Sequence, residues 1–156
     1  MMHADDLRPN ASNPHPVVDY TEAVWRVESK IAAEVDFDPE SHTVLLTHGA
    51  KTARAIIFVH GYPSSPAPFK QIAAQFYERR YNVLAMALPY HGLADRMNTE
   101  HAKLRAEDFM RYGDRVVDIA RGLGTRVTMA GISCGGLITG WLWIPCHSQG
   151  PDPARC

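Results

Sequence analysis

The chain shows two different patterns of hydrophobic and polar positions. In one, apolar residues recur every third or fourth position, which predicts amphipathic helices. This pattern covers 19–34, 69–80 and 104–123, and a fourth helix is expected to begin at Leu137 and to reach Trp143. In the first helix the predicted buried stripe is Ala23, Val27, Ile31 and Val35.

The other pattern is a short run of aliphatic and β-branched residues, which predicts a strand. Four such runs lie at 43–47, 55–60, 82–88 and 126–130. The run AIIFVH at 55–60 has no polar alternation before its end, so both faces of that strand should be covered, as in the middle of a parallel sheet. Strands that alternate with helices predict an α/β fold, with a mostly parallel sheet and helices on both faces.

In an open parallel sheet, functional groups gather beyond the carboxyl ends of the strands. The loops that matter are therefore 61–69, 89–96 and 131–136. The same patterns set the expected domain organisation. A polar amino-terminal segment covers 1–18, a partial α/β domain covers 19–143, and a tail containing proline and cysteine covers 144–156.

The composition limits the class of partner. At 156 residues the chain has room for one domain, and its 46% hydrophobic and 21% charged residues are typical of a globular protein. The formal charge of -1 offers no electrostatic surface for nucleic acid or an anionic membrane. No run approaches the ~18 to 20 apolar residues of a membrane span. We therefore expect a small-molecule partner, no nucleic acid and no membrane association.

The amino terminus and the cysteines predict the compartment. The polar start of the chain has no apolar h-region, so we expect no secretory signal and a cytoplasmic location. Three cysteines, Cys134, Cys146 and Cys156, are odd in number and lack the paired spacing of a zinc site. We expect reduced thiols and no bound metal.

The segment Gly131-Ile132-Ser133-Cys134-Gly135 fits the pattern G-x-S-x-G. A predicted strand runs into it and an apolar helix leaves it, which is the setting of a nucleophile elbow. There the glycines two before and two after the serine avoid Cβ clashes in a tight turn, and the serine projects from it. The positive end of the helix would face charge that develops on an attacked carbonyl. A glycine-rich turn with an N-cap serine and no chemistry fits the same pattern.

A second motif, His60-Gly61-Tyr62, follows the buried strand AIIFVH. The segments FVHGYPSSPAPF, NVLAMALPYHG and TMAGISCGG together resemble the α/β-hydrolase fold superfamily, in particular its lipase, esterase and serine-aminopeptidase-like members. The resemblance covers roughly 43–143, with the three motifs in the order and spacing of that family.

The resemblance implies specific roles for these residues. Ser133 would be the nucleophile, the backbone N–H groups of Tyr62 and Cys134 would form the oxyanion hole, and Gly131 and Gly135 would frame the elbow. It also implies that no metal or organic cofactor is used. Because the elbow holds Ser rather than Asp, the dehalogenase and epoxide-hydrolase members of the superfamily are disfavoured.

The sequence departs from this family after the elbow. The family triad runs in the order Ser, acid, His, with the acid and the base on later loops. Only 23 residues follow Ser133, fewer than the ~30 that one βαβ unit needs. Residues 144–156 also lose all periodicity, so we interpret them as a foreign tail on a truncated gene product. We expect a match to the amino-terminal half of the fold, without the triad acid and base.

Four histidines are candidates to replace the missing triad base. His60 and His91 lie on loops at the same end of the sheet as Ser133, but each precedes Gly in a turn motif, so a structural role is favoured. His101 lies in a polar connection and His147 in the aberrant tail, where solvated side chains are expected. None is assigned as the base.

Several other motifs have simpler explanations. Asp95 and Asp114 could orient a base, yet a loop residue and a solvated helix face explain them equally well. Residues 131–136 lack one glycine and the later acid of a dinucleotide-binding fingerprint, and 49–52 lacks the frame of a phosphate loop. The WLW cluster at 141–143 reads as a helix face without its packing partner.

Two functional hypotheses follow. The first is a serine hydrolase that acts on carboxylic esters, or on amides, through an acyl-serine intermediate and is truncated before its acid and base. The second is an inactive, non-enzymatic fragment of a hydrolase. In both, strand 126–130 lacks later neighbours, so its open edge could pair with another chain. Self-association is also favoured by helix residues that would be left uncovered, namely Leu137, Ile138, Trp141 and Leu142.

Overall fold

The structure, a computed structural model, describes residues 19–95 and 97–148, with side chains up to residue 142. The predicted segment 1–18 and residues 149–156 of the predicted tail lie outside the described residues. The helices are α1 (Tyr20–Ala32), α2 (Lys70–Glu78), α3 (Ala106–Leu123) and α4 (Cys134–Ser148), and the strands are β1 (Val44–Leu46), β2 (Thr52–Val59), β3 (Tyr81–Ala85) and β4 (Gly124–Gly131). Short 3-10 turns cover Ala67–Phe69 and Glu100–Lys103.

The strands form one sheet in the order β1-β3-β2-β4 among the described residues. Strands β3, β2 and β4 are parallel, and β1 runs antiparallel to β3. The predicted α/β fold with a mostly parallel sheet is therefore confirmed. Strand β2 lies between β3 and β4, and its residues from Ala55 to Val59 are buried, as its uninterrupted apolar run predicts.

Helices cover both faces of the sheet, also as predicted. On one face α1, α3 and α4 pack on buried strand side chains that include Ile57, Val59 and Leu84. On the other face α2 packs on Ile56, Phe58 and Val83. Each large apolar side chain buried in this way contributes about 1.5 to 3 kcal/mol. The sheet is therefore a rigid platform for the loops at its carboxyl end.

The register of the parallel strands brings three loops to one end of the sheet. Phe58 pairs with Ala85 on one side, and Val59 pairs with Gly131 on the other. The loops after β2, β3 and β4 therefore begin side by side. These are the loops predicted to carry function.

Two expectations about helices were wrong. Val35 does not continue the buried stripe of α1, because the helix ends at Ala32, and the Val35 side chain is 82% exposed. Helix α4 begins at Cys134, three residues before the expected start, since it leaves the elbow directly. The helix continues to Ser148.

The apolar face of α4 is partly covered. Ile138 is buried, and Leu142 packs against the main core. The Leu142 side chain lies over Gly113 of α3, where the absence of a side chain leaves room for it. Leu137, in contrast, is 75% exposed. The prediction of an uncovered helix was thus right for Leu137 and wrong for Ile138. No helix in the described ranges is long and apolar enough to cross a membrane.

Candidate active site

Ser133 lies at the sharp turn between β4 and α4. Its backbone has φ of +56°, a left-handed conformation that a residue with a side chain rarely adopts. The turn is fixed on both sides. The Ile132 N–H donates to the Val59 carbonyl at 3.1 Å, and the Ser133 carbonyl accepts from the Leu137 N–H at 3.2 Å, in the first turn of α4. This is the strained strand-to-helix turn of a nucleophile elbow.

The glycines on either side of Ser133 are required by close backbone contacts. A Cβ on Gly131 would lie 2.2 Å from the Gly135 carbonyl oxygen. A Cβ on Gly135 would lie 2.1 Å from the Val59 carbonyl oxygen. Neither distance is tolerated by real atoms, so the turn can form only with glycine at both positions. The sequence spacing G-x-S-x-G is therefore explained by packing within the turn and against β2.

The loop after β2 lies directly against the elbow. A Cβ on Gly61 would be 3.0 Å from the Ser133 Cβ and 3.0 Å from the Ile132 carbonyl oxygen. The next residue along the loop is Tyr62. In the part of the chain that the structure describes, neither the Tyr62 N–H nor the Cys134 N–H donates to a backbone oxygen. The sequence predicts that these two N–H groups form an oxyanion hole, and the Tyr62 N–H faces the Cys134 thiol in this structure.

A pocket of about 160 Å³ opens beside the serine. Its walls include Tyr62 and Ser133, together with residues from the loop after β2 and from the elbow. Those residues are Ser64, Pro68, Phe69 and Ile132. A group held in this pocket would contact the Ser133 side chain and the loop that carries the Tyr62 donor.

Cys134 follows Ser133 and has a free thiol. Burial raises the pKa of this thiol above its usual value, and the nearby Tyr62 N–H opposes that shift more weakly. Because the thiolate is the reactive form of cysteine, the raised pKa keeps Cys134 largely protonated and unreactive near neutral pH.

His60 is a structural residue of the loop rather than a free base. Its Nδ1 donates to the Gly61 carbonyl at 2.9 Å, and its Nε2 accepts from the Leu88 N–H at 3.0 Å. The side chain is buried, and burial lowers the pKa of His60 to about 4. With both ring nitrogens engaged, the ring cannot take a proton from Ser133, and it ties the loop after β2 to the loop after β3.

His91 is also buried, on the loop after β3. Its Nδ1 donates to the Pro89 carbonyl at 2.7 Å, whereas its Nε2 has no hydrogen-bond partner among the described residues. Burial lowers the pKa of His91, and the neighbouring His101 lowers it further. Its ring centroid lies 5.4 Å from that of His60 and 4.7 Å from that of His101. We call His60, His91 and His101 the histidine cluster.

None of the residues considered as acid or base is hydrogen-bonded to the Ser133 side chain in the described ranges. Among the described residues, no side chain forms a hydrogen bond with Ser133 Oγ. His101 packs against Tyr62 and His91, and Asp95 accepts from the backbone N–H of Met97. No group of three or more potential metal ligands occurs within the described ranges. The side chain of His147 lies outside them.

Sequence reasoning missed a buried carboxylate that supports the site. Glu34 accepts from the Thr43 N–H at 2.9 Å and from Thr43 Oγ1 at 2.6 Å, and Lys30 Nζ donates to it at 2.6 Å. Thr43 Oγ1 in turn accepts from the Ala87 N–H at 3.0 Å. Since Ala87 lies two residues after the end of β3, at the start of the loop that follows, this chain of hydrogen bonds anchors that loop. No local signal could have revealed it, because Glu34 is the last residue of the predicted amphipathic helix 19–34, where a solvated acid is ordinary.

The comparisons with known proteins agree with this architecture. A solved structure described as "LipS and LipT, two metagenome-derived lipolytic enzymes" matches with a TM-score of 0.57 and 22% sequence identity. The match covers 74% of this chain and 51% of the other, so the chain spans about half the length of that relative. At this identity the likeness shows the fold. No curated protein sequence matches the chain.

The profile of the alpha/beta hydrolase family matches residues 56–148, which is more than half of the chain. The matched region begins in β2 and includes the loop at Tyr62, the elbow at Ser133 and α4. The sheet order, the elbow geometry and this match agree, and the chain belongs to the α/β hydrolase family.

Proposed function

We propose that this hydrolase uses Ser133 as the nucleophile that attacks carboxylic esters, or amides, and forms an acyl-serine intermediate. The observation that carries the proposal is the conformation of Ser133, which sits at φ of +56° between two glycines that cannot be replaced. A backbone strained in this way at a strand-to-helix turn holds the hydroxyl out toward a substrate.

In the proposed reaction Ser133 Oγ adds to the substrate carbonyl carbon and gives up its proton to a base. The carbonyl oxygen becomes an oxyanion and accepts hydrogen bonds from the Tyr62 and Cys134 N–H groups. When the tetrahedral intermediate collapses, the bond to the leaving group breaks, and the leaving oxygen or nitrogen takes up a proton. Water then releases the acid from Ser133 by the same steps.

We further propose that the triad acid and base lie outside the described residues. Two facts support this. His60 has both ring nitrogens engaged, and His91 is fully buried without lining the pocket beside Ser133. A serine without its base is only weakly nucleophilic. The chain studied alone should therefore turn over esters very slowly.

The alternative is a non-enzymatic member of the family that keeps the fold and does not catalyse hydrolysis. The absence of a hydrogen bond to Ser133 Oγ within the described ranges is the observation that favours it. The two hypotheses differ in whether Ser133 reacts with an ester at all. An elbow and an oxyanion hole without a base still accelerate the reaction measurably over water, so the first hypothesis predicts a slow reaction at Ser133 and the second predicts none.

The test is hydrolysis of short p-nitrophenyl esters by the full chain and by Ser133→Ala. We expect a rate of hydrolysis several orders of magnitude below that of ordinary esterases, and we expect Ser133→Ala to abolish this remaining hydrolysis. A rate within tenfold of ordinary esterases, abolished by Ser133→Ala, would contradict the absence of a base and direct attention to His60 or His91. Because the solved relative is described as lipolytic, acylglycerols are the next substrates to test. The cytoplasmic location stays a prediction, to be tested by cell fractionation.

A further inference from the structure

A series of hydrogen bonds between buried groups leads from the end of α1 to the loop that carries Tyr62. At the α1 end, Thr43 Oγ1 donates to the Glu34 carboxylate at 2.6 Å and accepts from the Ala87 N–H at 3.0 Å. Both Glu34 and Thr43 are buried. Because the hydroxyl gives its only proton to Glu34, its lone pairs are left for the Ala87 N–H.

The segment after β3 is held from both sides at this point. The Ala87 N–H donates to Thr43, which directly precedes β1, and the next N–H, of Leu88, donates to His60 Nε2 at 3.0 Å. His60 directly follows β2, and β3 lies between β1 and β2. A shift of this segment away from Thr43 would therefore also disturb its bond to His60.

His60 passes this restraint to the peptide unit between Gly61 and Tyr62. Because Nε2 accepts from Leu88, the ring proton is on Nδ1, which donates to the Gly61 carbonyl at 2.9 Å. The same carbonyl accepts from the Ser64 N–H at 2.9 Å. A trans peptide unit is planar, and its C=O and N–H point in opposite directions. The two bonds to the Gly61 carbonyl therefore set the direction of the Tyr62 N–H.

The Tyr62 N–H is one of the two donors expected to stabilise an oxyanion at Ser133. In this structure it faces the Cys134 thiol, a weak acceptor that a charged oxygen can replace. A donor in an oxyanion hole is most effective when its direction is set before the reaction, since it then needs no reorientation. Here the direction depends on buried bonds that begin at Glu34 and Thr43.

We propose that Thr43 is a positioning residue for the oxyanion hole, acting through the segment after β3 and His60 on the Tyr62 N–H. Thr43 lies across β3 from His60 and does not line the pocket beside Ser133. The inference rests on the proposed function, because it assumes that Ser133 is acylated and that Tyr62 stabilises the oxyanion. It adds a residue that lies outside every motif of the site.

The experiment compares two reagents that differ in the atom stabilised by the Tyr62 N–H. The full chain is incubated with p-nitrophenyl acetate or with p-nitrophenyl thionoacetate, in which sulfur replaces the carbonyl oxygen. In both reactions Ser133 Oγ replaces the aryl oxygen on the acyl carbon, p-nitrophenolate leaves, and the Ser133 proton passes to the buffer. Sulfur accepts hydrogen bonds weakly, so the thionoester depends less on the N–H donors. Intact mass and peptide mapping give each rate at Ser133, which is divided by the rate of that reagent's hydrolysis in buffer.

Thr43→Val keeps the shape of the side chain and removes its hydroxyl. We expect it to lower the rate with the oxygen ester at least about threefold relative to the thionoester, since loss of a whole oxyanion donor costs about 10²- to 10³-fold. Thr43→Ser keeps the hydroxyl and should have the wild-type ratio of the two rates.

Thr52→Val is the matched control at the other end of the sheet. Thr52 Oγ1 also donates to an acceptor oxygen, the Arg54 carbonyl at 2.6 Å, and accepts from a backbone N–H, that of Asn82 at 3.4 Å. Thr52→Val should therefore keep the wild-type ratio. Circular dichroism checks that each variant is folded in the assay, and Glu34→Gln, which weakens the acceptor of the Thr43 hydroxyl, replaces Thr43→Val if that variant unfolds.

An unchanged ratio in Thr43→Val, or an equal fall in Thr52→Val, would overturn the inference while leaving Ser133 as the nucleophile. Equal slowing of both reagents in Thr43→Val would show a purely structural role for Thr43 and would also overturn it. If neither reagent acylates Ser133 in the wild type, the proposed function fails and the inference fails with it.

Discussion

The carbonyl oxygen of Val59 occupies the space that a side chain at position 135 would need. An ideal Cβ on Gly135 would lie 2.1 Å from that oxygen. Because Val59 is in the middle of the sheet and pairs with Gly131, it cannot move without disturbing β2 and β4. The elbow that presents Ser133 thus depends on a contact between the central strand and the first turn of α4.

This contact predicts the effect of Gly135→Ala. The methyl group would overlap a backbone atom rather than the end of a flexible side chain, so we expect a loss of about 3 kcal/mol or more in the free energy of unfolding. Urea denaturation followed by circular dichroism measures it. Gly140→Ala is the matched control on the same helix, since a Cβ there meets nothing within 4 Å.

Gly140→Ala should raise the free energy of unfolding by roughly 0.5 to 1 kcal/mol, because alanine has the higher helix propensity. Equal effects of the two substitutions would show that the contact between Val59 and Gly135 is not a constraint.

The histidine cluster predicts a pH dependence of stability. The folded pKa of His60 is lowered from 6.5 to about 4, and burial also lowers that of His91. As the pH falls, the unfolded chain therefore binds protons first. The stabilisation is complete above about pH 6.5 and is lost as the pH falls toward 4, by up to about 3 kcal/mol for His60 alone.

Urea midpoints between about pH 7 and pH 5 measure this loss in a range where most carboxylates stay ionised. A wild-type midpoint that does not change over this range would contradict the buried, neutral state of His60 and His91.

The buried carboxylate of Glu34 predicts a further stability effect. Glu34→Ala removes the acceptor of the Thr43 N–H and hydroxyl and leaves those groups unpaired in the core, so we expect a loss of about 3 kcal/mol. Glu28→Ala, on the exposed face of α1, should change the free energy of unfolding by less than about 0.5 kcal/mol. Chemical denaturation of both variants compares them, and similar small effects would rule out the network as an anchor.

The open edge of β4 supports the proposal of self-association. Residues 125–128 are exposed, and β4 pairs only with β2 among the described strands. We expect the purified chain to associate or aggregate in light scattering, and Val127→Lys to reduce this by placing a charge on the edge. Val35→Lys, at an exposed valine outside the sheet, should have no such effect. A monodisperse monomer with one cooperative melt above ~50 °C would contradict the proposal.

The elbow could be predicted because its signal is local. Two glycines around Ser133, a strand before them and a helix after them are all visible within some twenty residues. The parallel character of the sheet also follows from the alternation of strands and helices. The structure adds the reason for the glycines, which is the close approach of the first turn of α4, at Gly135, to the Val59 carbonyl of β2 and to Gly131 of β4.

Long-range features could not be predicted in the same way. The antiparallel direction of β1 and its position beside β3 depend on contacts forty residues apart, such as Val44 with Ala85. The sequence predicts a helix that begins at position 69, yet Phe69 lies in a 3-10 turn and lines the pocket. Its position depends on stacking against Phe58 in β2, which no periodicity within the loop reveals.

Peptide mapping after treatment with p-nitrophenyl butyrate tests the central claim most directly, since it asks which atom of the chain reacts. The account predicts one butyryl group per chain, located on Ser133, formed slowly and absent in Ser133→Ala. Ser64→Ala, which changes another serine in the same pocket, should still be labelled at Ser133. Labelling that is equal in the wild type and Ser133→Ala, or that falls on Cys134 or Ser64 instead, would contradict the assignment of Ser133 as the nucleophile.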